Sequence, residues 1–209
     1  MFKFLTAPER ETVERLHRLF SQRGVRFTLV GGAACREYGL SRTIKDLDFV
    51  VNPYLVAASV LAASCEFAEF GEPDPTNRTC TMKDLKTRVL VDLVAGGIYM
   101  TNGALLGHVL YRDPLPIPEP TGFGDLVSLN TLIEMKLGAI VSGLDTRALG
   151  ANYGGRDEGQ VQQDIEDIRD LITMCRLPRD LVFGVGDIQR AYENIYDGVP
   201  VVSSWISPP

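Results

Sequence analysis

Hydrophobic positions recur at helical spacing in PERETVERLHRLFSQRG (8–24), where Val13, Leu16, Leu19 and Phe20 form one apolar stripe among charged residues. Pro8 suits a first helical turn, the early glutamates suit its positive end, and Gly24 marks the stop. The pattern then changes to extended runs. VRFTLV (25–30) predicts a strand, Gly31-Gly32 a turn, and AACREYG (33–39) a short helix. DLDFVV (46–51) predicts a second strand, stopped by Asn52-Pro53, and YLVAASVLAAS (54–64) an alanine-rich helix. After the loop GEPDPTN, two further strands are expected over RTCTMK (78–83) and TRVLVDLVA (87–95).

Beyond residue 112 the texture alters. RDPLPIPEPTGFGD is rich in proline and glycine and is expected to be a linker or surface crossing. Helical periodicity returns over 129–143 and 159–175, with the polar, glycine-rich LDTRALGANYGGRDE between them. A third helix is expected over 187–197, followed by an extended tail, VPVVSSWISPP. The element order predicts an α/β (α+β) protein: a mixed β-sheet flanked by helices over 1–112, then a mainly helical C-terminal region over 113–209.

Composition narrows the function classes. The 209 residues are 45% hydrophobic and 23% charged, ordinary for a soluble globular chain. A net charge of −6 argues against a broad nucleic-acid footprint, so any such contact must be local. No apolar run is long enough to span a bilayer, and the N-terminus has no secretory h-region, which predicts a cytoplasmic protein. Cys35, Cys65, Cys80 and Cys175 are scattered and read as small core residues rather than a disulfide frame or zinc site. His17 and His108 have no visible Cys or Ser partner, so histidine acid–base chemistry is not expected.

The chemistry concentrates at one strand head. Side chains at i and i+2 of a strand share a face, so Asp46 and Asp48 project together. Two adjacent carboxylates at a buried strand end are costly unless a cation neutralises them, and a hard divalent ion does so best. For Asp-x-Asp alone, a solvent-facing strand end is the plain alternative. Asp92, within the apolar run RVLVDLVA, needs a reason of its own, since an unpaired buried charge costs several kcal/mol. A neighbouring strand could bring it beside Asp46 and Asp48. Gly31-Gly32 has no Cβ and lets backbone N–H groups approach a phosphate closely. Lys83, Lys86 and Arg88 form a small basic cluster that could guide an anionic acceptor, against the commoner reading of a solvated hairpin. The Tyr153-Gly154-Gly155-Arg156 loop reads as a substrate lid or a surface insertion, and Trp205 as a residue packed on the body.

Val30-Gly31-Gly32, thirteen residues, Asp46-Leu47-Asp48-Phe49 and then Val91-Asp92-Leu93 together resemble the signature of the polymerase-β-like nucleotidyltransferase superfamily. The local form GGAACREYGLSRTIKDLDF is similar to that of AbiEii/AbiGii-toxin-like minimal nucleotidyltransferases, with Arg42 and Thr43 matching that pattern's Arg and Thr. The resemblance extends into the helical half. There Lys136 matches a helix lysine, and Asp164 and Asp167 match the carboxylates of a following helix, although Gln163 replaces the usual basic residue. An internal Lys–Asp salt bridge between packed helices is the alternative reading for those three.

The resemblance implies a nucleotidyltransferase fold and transfer of a nucleoside monophosphate from an NTP to a hydroxyl, with release of pyrophosphate. Asp46, Asp48 and Asp92 would hold two Mg²⁺ ions, with Mn²⁺ as the alternative. Gly31, Gly32, Arg42, Thr43, Lys136, Asp164 and Asp167 would contact the nucleotide, Lys136 also acting on the leaving pyrophosphate. Implied partners are the NTP, an acceptor that is tRNA or a small hydroxylated molecule, and an antitoxin protein. A small-molecule, antibiotic-modifying enzyme and a non-catalytic nucleotide-binding module on the same fold are the competing readings.

Overall fold

A computed structural model describes residues 2–71, 79–96, 99–100, 115–116, 120, 122–148, 158–184 and 186–200. These fall into two compact units, Met1–Ile98 with Pro116–Leu132, and Tyr99–Leu115 with Ile133–Pro209.

In the first unit, α1 (Ala7–Ser21) is started by a capping box. The Thr6 hydroxyl accepts from the Glu9 amide, and the Glu9 carboxylate accepts from the Thr6 amide. Its buried stripe is Thr12, Val13, Leu16 and Phe20, so Thr12 takes a place the sequence pattern gave to Leu19. The chain continues through β1 (Arg26–Val30), α2 (Gly31–Glu37), β2 (Asp46–Asn52), α3 (Tyr54–Ala63), β3 (Phe67–Glu69), β4 (Thr79–Asp84) and β5 (Leu90–Ala95). Two short strands, β6 (Tyr99–Met100) and β7 (Leu115–Pro116), pair with each other, and β8 (Phe123–Leu126) returns to the main sheet.

That sheet has six strands in the order β3-β4-β5-β2-β1-β8. It is mixed: β2/β5 and β1/β8 are parallel, while β1/β2, β4/β5 and β3/β4 are antiparallel. The expected mixed sheet with flanking helices is therefore present. One face is apolar and closed by α1. Phe20, Phe27 and Phe49 stack edge-on there, with centroids 5.2 and 5.5 Å apart. Leu47, Phe49, Val91, Leu93, Cys80 and Met82 are buried. On β4 and β5 burial alternates strictly, so RVLVDLVA is not a strand buried on both faces despite its apolar run. Asp46, Asp48, Asp92, Thr81 and Lys83 stand on the opposite, half-exposed face.

Three sequence expectations change. Gly31 and Gly32 are the first residues of α2 rather than a turn before it. The stretch expected as a linker contains β8, which joins the sheet beside β1. Thr87–Val89 belongs to the β4–β5 connection rather than to β5. Of the cysteines, Cys35 and Cys80 are buried as expected, Cys175 is half-buried and Cys65 is exposed.

The second unit contains most of α4 (Leu129–Ala148), with α5 (Glu158–Cys175) and α6 (Gly186–Tyr196). Leu132, Ile133, Leu137, Ile140 and Val141 of α4 are buried, as are Val161, Ile165, Ile168 and Leu171 of α5. No described helix is long and apolar enough to cross a membrane. His108, the 153–156 loop and Trp205 lie outside the described residues.

Candidate active site

The sheet register brings the three aspartates together. Asp48 pairs with Asp92 across the parallel β2/β5 ladder, and Asp46 lies two residues earlier on the same face. One carboxylate oxygen of each lies within 4.8 Å of the others, the sole such group of potential metal ligands among the described residues. All three residues are half-buried. Burial, followed by the Asp92 charge, pushes the Asp46 carboxyl above its ordinary value, with Lys45 and Arg42 acting against this. Asp92 Oδ1 is buried with no hydrogen-bond partner. A buried carboxylate oxygen with no donor, beside two more carboxylates, is a donor set that fits a hard divalent cation.

Gly31 forms the adjoining wall. Val30 pairs with Asp48 across β1/β2, which sets the Asp48 carboxylate directly against the next residue, Gly31. Gly31 has φ +63, and a Cβ there would overlap the Asp48 carboxylate. Glycine is therefore required twice, by conformation and by space. Gly31→Ala is expected to destabilise the fold by about 1–2 kcal/mol from backbone strain alone and to displace Asp48. Chemical denaturation and divalent-ion titration of the same variant check both effects.

Gly32 packs on the Arg42 guanidinium, where an added Cβ would lie 3.3 Å from Arg42 Cζ. Arg42 is thus gathered to the glycines and close enough to act on Asp46, whereas Thr43 is exposed on the connecting loop.

The raised Asp46 pKa has a defined sign. A carboxyl whose folded pKa is raised contributes stability at low pH that is lost as pH rises through the raised value. With no metal present, Asp46→Asn is therefore expected to stabilise the protein at neutral pH and to do little near pH 4. Melting temperatures in chelator at the two pH values test this.

Lys136, Asp164 and Asp167 come together in the second unit. Lys136 Nζ donates to Asp164 Oδ1 and Asp167 Oδ2, each at 2.7 Å. The three residues are 6%, 3% and 2% exposed. Gln163 Nε2 donates to Asp167 Oδ1 at 3.2 Å, so the residue standing in for a basic one is part of the cluster. The inter-helix salt bridge is thus real.

The basic cluster does not act as one patch. Lys86 is paired with Glu11 of α1, Arg88 holds the left-handed turn position at φ +68, and Lys83 stands on the open sheet face. Sequence reasoning missed Asp84, which is fully buried and anchors this turn. Its Oδ1 accepts from the amides of Lys86 (2.9 Å) and Thr87 (3.1 Å), and its Oδ2 from Thr12 and Arg15 (both 2.9 Å). The available signal was an Asp opening the turn DLKTR.

No family model and no curated protein matches this chain. Among solved structures, an antigenic nucleotidyltransferase-like protein from Paracoccidioides brasiliensis is similar at 18% identity and TM-score 0.47, over 94% of this chain and 90% of that one. A tRNA-processing enzyme in its apo form is similar at 14% identity and TM-score 0.42, over 95% of this chain and 58% of that one. A CCA-adding enzyme in complex with ATP is similar at 12% identity and TM-score 0.39, over 94% of this chain and 59% of that one. The chain thus spans under two thirds of the length of the latter two. These likenesses concern the fold alone.

Proposed function

We propose that this chain is a divalent-metal-dependent nucleotidyltransferase, moving a nucleoside monophosphate from an NTP to a hydroxyl acceptor with release of pyrophosphate. The observation that carries the reading is the convergence of Asp46, Asp48 and Asp92, with Asp92 Oδ1 buried and unpartnered. Bound at these carboxylates, Mg²⁺ or Mn²⁺ would supply Lewis-acid stabilisation of the entering and leaving oxygens.

The chain's own residues have separate tasks. Asp46 and Asp48, on one strand, would hold the metal, and Gly31 leaves room for the Asp48 carboxylate. Asp92, from the neighbouring strand, faces the acceptor side and takes the proton of the attacking hydroxyl. The backbone at Gly31 and Gly32 approaches the phosphates, with Arg42 offsetting their charge and Thr43 on the same loop. Lys136, Asp164 and Asp167 enter as nucleotide contacts on motif resemblance. In that role a phosphate oxygen would join the two carboxylates around Lys136 Nζ or replace one of them.

Incubation of the purified chain with labelled NTPs, candidate acceptors and Mg²⁺ is expected to give labelled acceptor and pyrophosphate, both stopped by chelator. Absence of transfer with every NTP and acceptor would leave only the non-catalytic binding module. A toxin role, with tRNA as acceptor and an antitoxin partner, rests on the motif resemblance. It predicts growth arrest on expression that Asp46→Ala removes.

A further inference from the structure

The sheet face that bears the carboxylates continues past Asp92 onto β4 and β3. Val30, Asp48, Asp92 and Thr81 lie opposite one another in successive strands. The Phe70 amide donates to the Thr81 carbonyl at 2.9 Å, which carries the row one strand further. Lys83, two residues from Thr81, shares its face, and its ammonium sits 5.4 Å from the centroid of the Phe70 ring. Phe70, the residue after β3, is 48% exposed. Among the described residues no carboxylate pairs with Lys83. With strands about 4.8 Å apart, the Phe70 backbone lies roughly 10 Å from that of Asp92.

We propose that this row is the acceptor platform, and that the acceptor is the 3′ end of a single-stranded polynucleotide. An exposed ring beside a lysine is the pairing that takes a base by stacking and its phosphate by charge. The row leads from that ring, past the Thr81 hydroxyl, to the carboxylate assigned to the acceptor's proton. A cationic small molecule would meet Lys83 as a like charge. The site is also local, as a chain of net charge −6 requires of any nucleic-acid contact. The inference rests on the nucleotidyl-transfer reading.

The test is fluorescence anisotropy of a short labelled oligoribonucleotide with a free 3′ hydroxyl, and of its deoxy counterpart, with the full chain in Mg²⁺ and no NTP. Phe70→Ala is expected to weaken binding about 5- to 150-fold, the range set by the loss of one stacked base. Phe70→Tyr is expected to restore it. Lys83→Gln is expected to reduce the salt dependence by about 0.7 in log–log slope. Melting curves establish that each variant folds, and unchanged Mg·NTP binding separates a platform defect from a nucleotide-site defect. Wild-type protein that binds neither oligonucleotide, or Phe70→Ala protein that binds as wild type does, overturns the proposal. Transfer to a small hydroxylated molecule without oligonucleotide binding would overturn the platform and leave the nucleotidyl-transfer reading standing. Oligonucleotide binding with no transfer of any kind would do the reverse.

Discussion

Asp92→Asn is expected to lower nucleotide transfer by about 10²- to 10³-fold while leaving the metal-free fold as stable as before or slightly more so. Partners outside a metal's ligand shell are worth 10–100-fold, and groups that stabilise developing charge are worth more. The opposite signs follow from the same geometry. Asp92 is the charge that, after burial, most raises the Asp46 pKa, and its Oδ1 has no hydrogen-bond donor. Asparagine keeps the shape and removes the charge, so the metal-free protein loses repulsion while the site loses a ligand. A residue needed only for folding would move stability and activity in the same direction. Initial rates together with melting temperatures in chelator separate the two cases.

Asp84→Ala is expected to be the most destabilising single change, costing about 3–5 kcal/mol. The carboxylate is fully buried and accepts from Thr12, Arg15 and two backbone amides. Truncation leaves Arg15, whose side chain is only 11% exposed, facing an empty space, and strands the Thr12 hydroxyl beside Thr87. Burial alone would raise the Asp84 pKa. The Thr87 amide, the Thr12 hydroxyl, the Lys86 amide and Arg15 together bring it below its ordinary value. A depressed carboxylate contributes stability that is present above its unfolded pKa, about 3.9, and is lost as pH falls towards the folded value. The gap between wild type and Asp84→Asn in urea denaturation should therefore be full at pH 7 and shrink below about pH 4. Activity need not follow, because the Asp84 anchor touches α1 and the turn after β4 rather than the carboxylate triad.

Much of this architecture is legible along the chain, for physical reasons. α1, β1, β2 and α3 have enough length for their periodicities, and Pro8, Gly24 and Asn52-Pro53 punctuate them. The Asp46/Asp48 pair is local and needs only the two-residue period of a strand. Asp92 is foreseeable because a carboxylate in an apolar run demands a partner, although β5 proves half-exposed rather than buried on both faces. What fails is non-local or short. β3 has three residues and β8 four, too few for a pattern, and β8 is recruited by parallel pairing with a strand far back in the chain. Gly31-Gly32 is placed in α2 rather than in a turn before it, and what requires glycine at Gly31, a φ of +63 and the Asp48 carboxylate across the sheet, is not local in sequence. The Asp84 anchor depends on Thr12 and Arg15, 72 and 69 residues away in sequence, and no local period encodes that.

The proposed divalent-ion site of Asp46, Asp48 and Asp92, serving a triphosphate, is tested most directly by anomalous scattering from a crystal soaked with Mn²⁺ and a non-hydrolysable NTP. The expected result is an anomalous peak within about 2.0–2.3 Å of oxygens from those three carboxylates, with triphosphate oxygens completing the shell beside Gly31 and Gly32. An ordered triphosphate elsewhere on the chain, with no anomalous peak between β2 and β5, would contradict it.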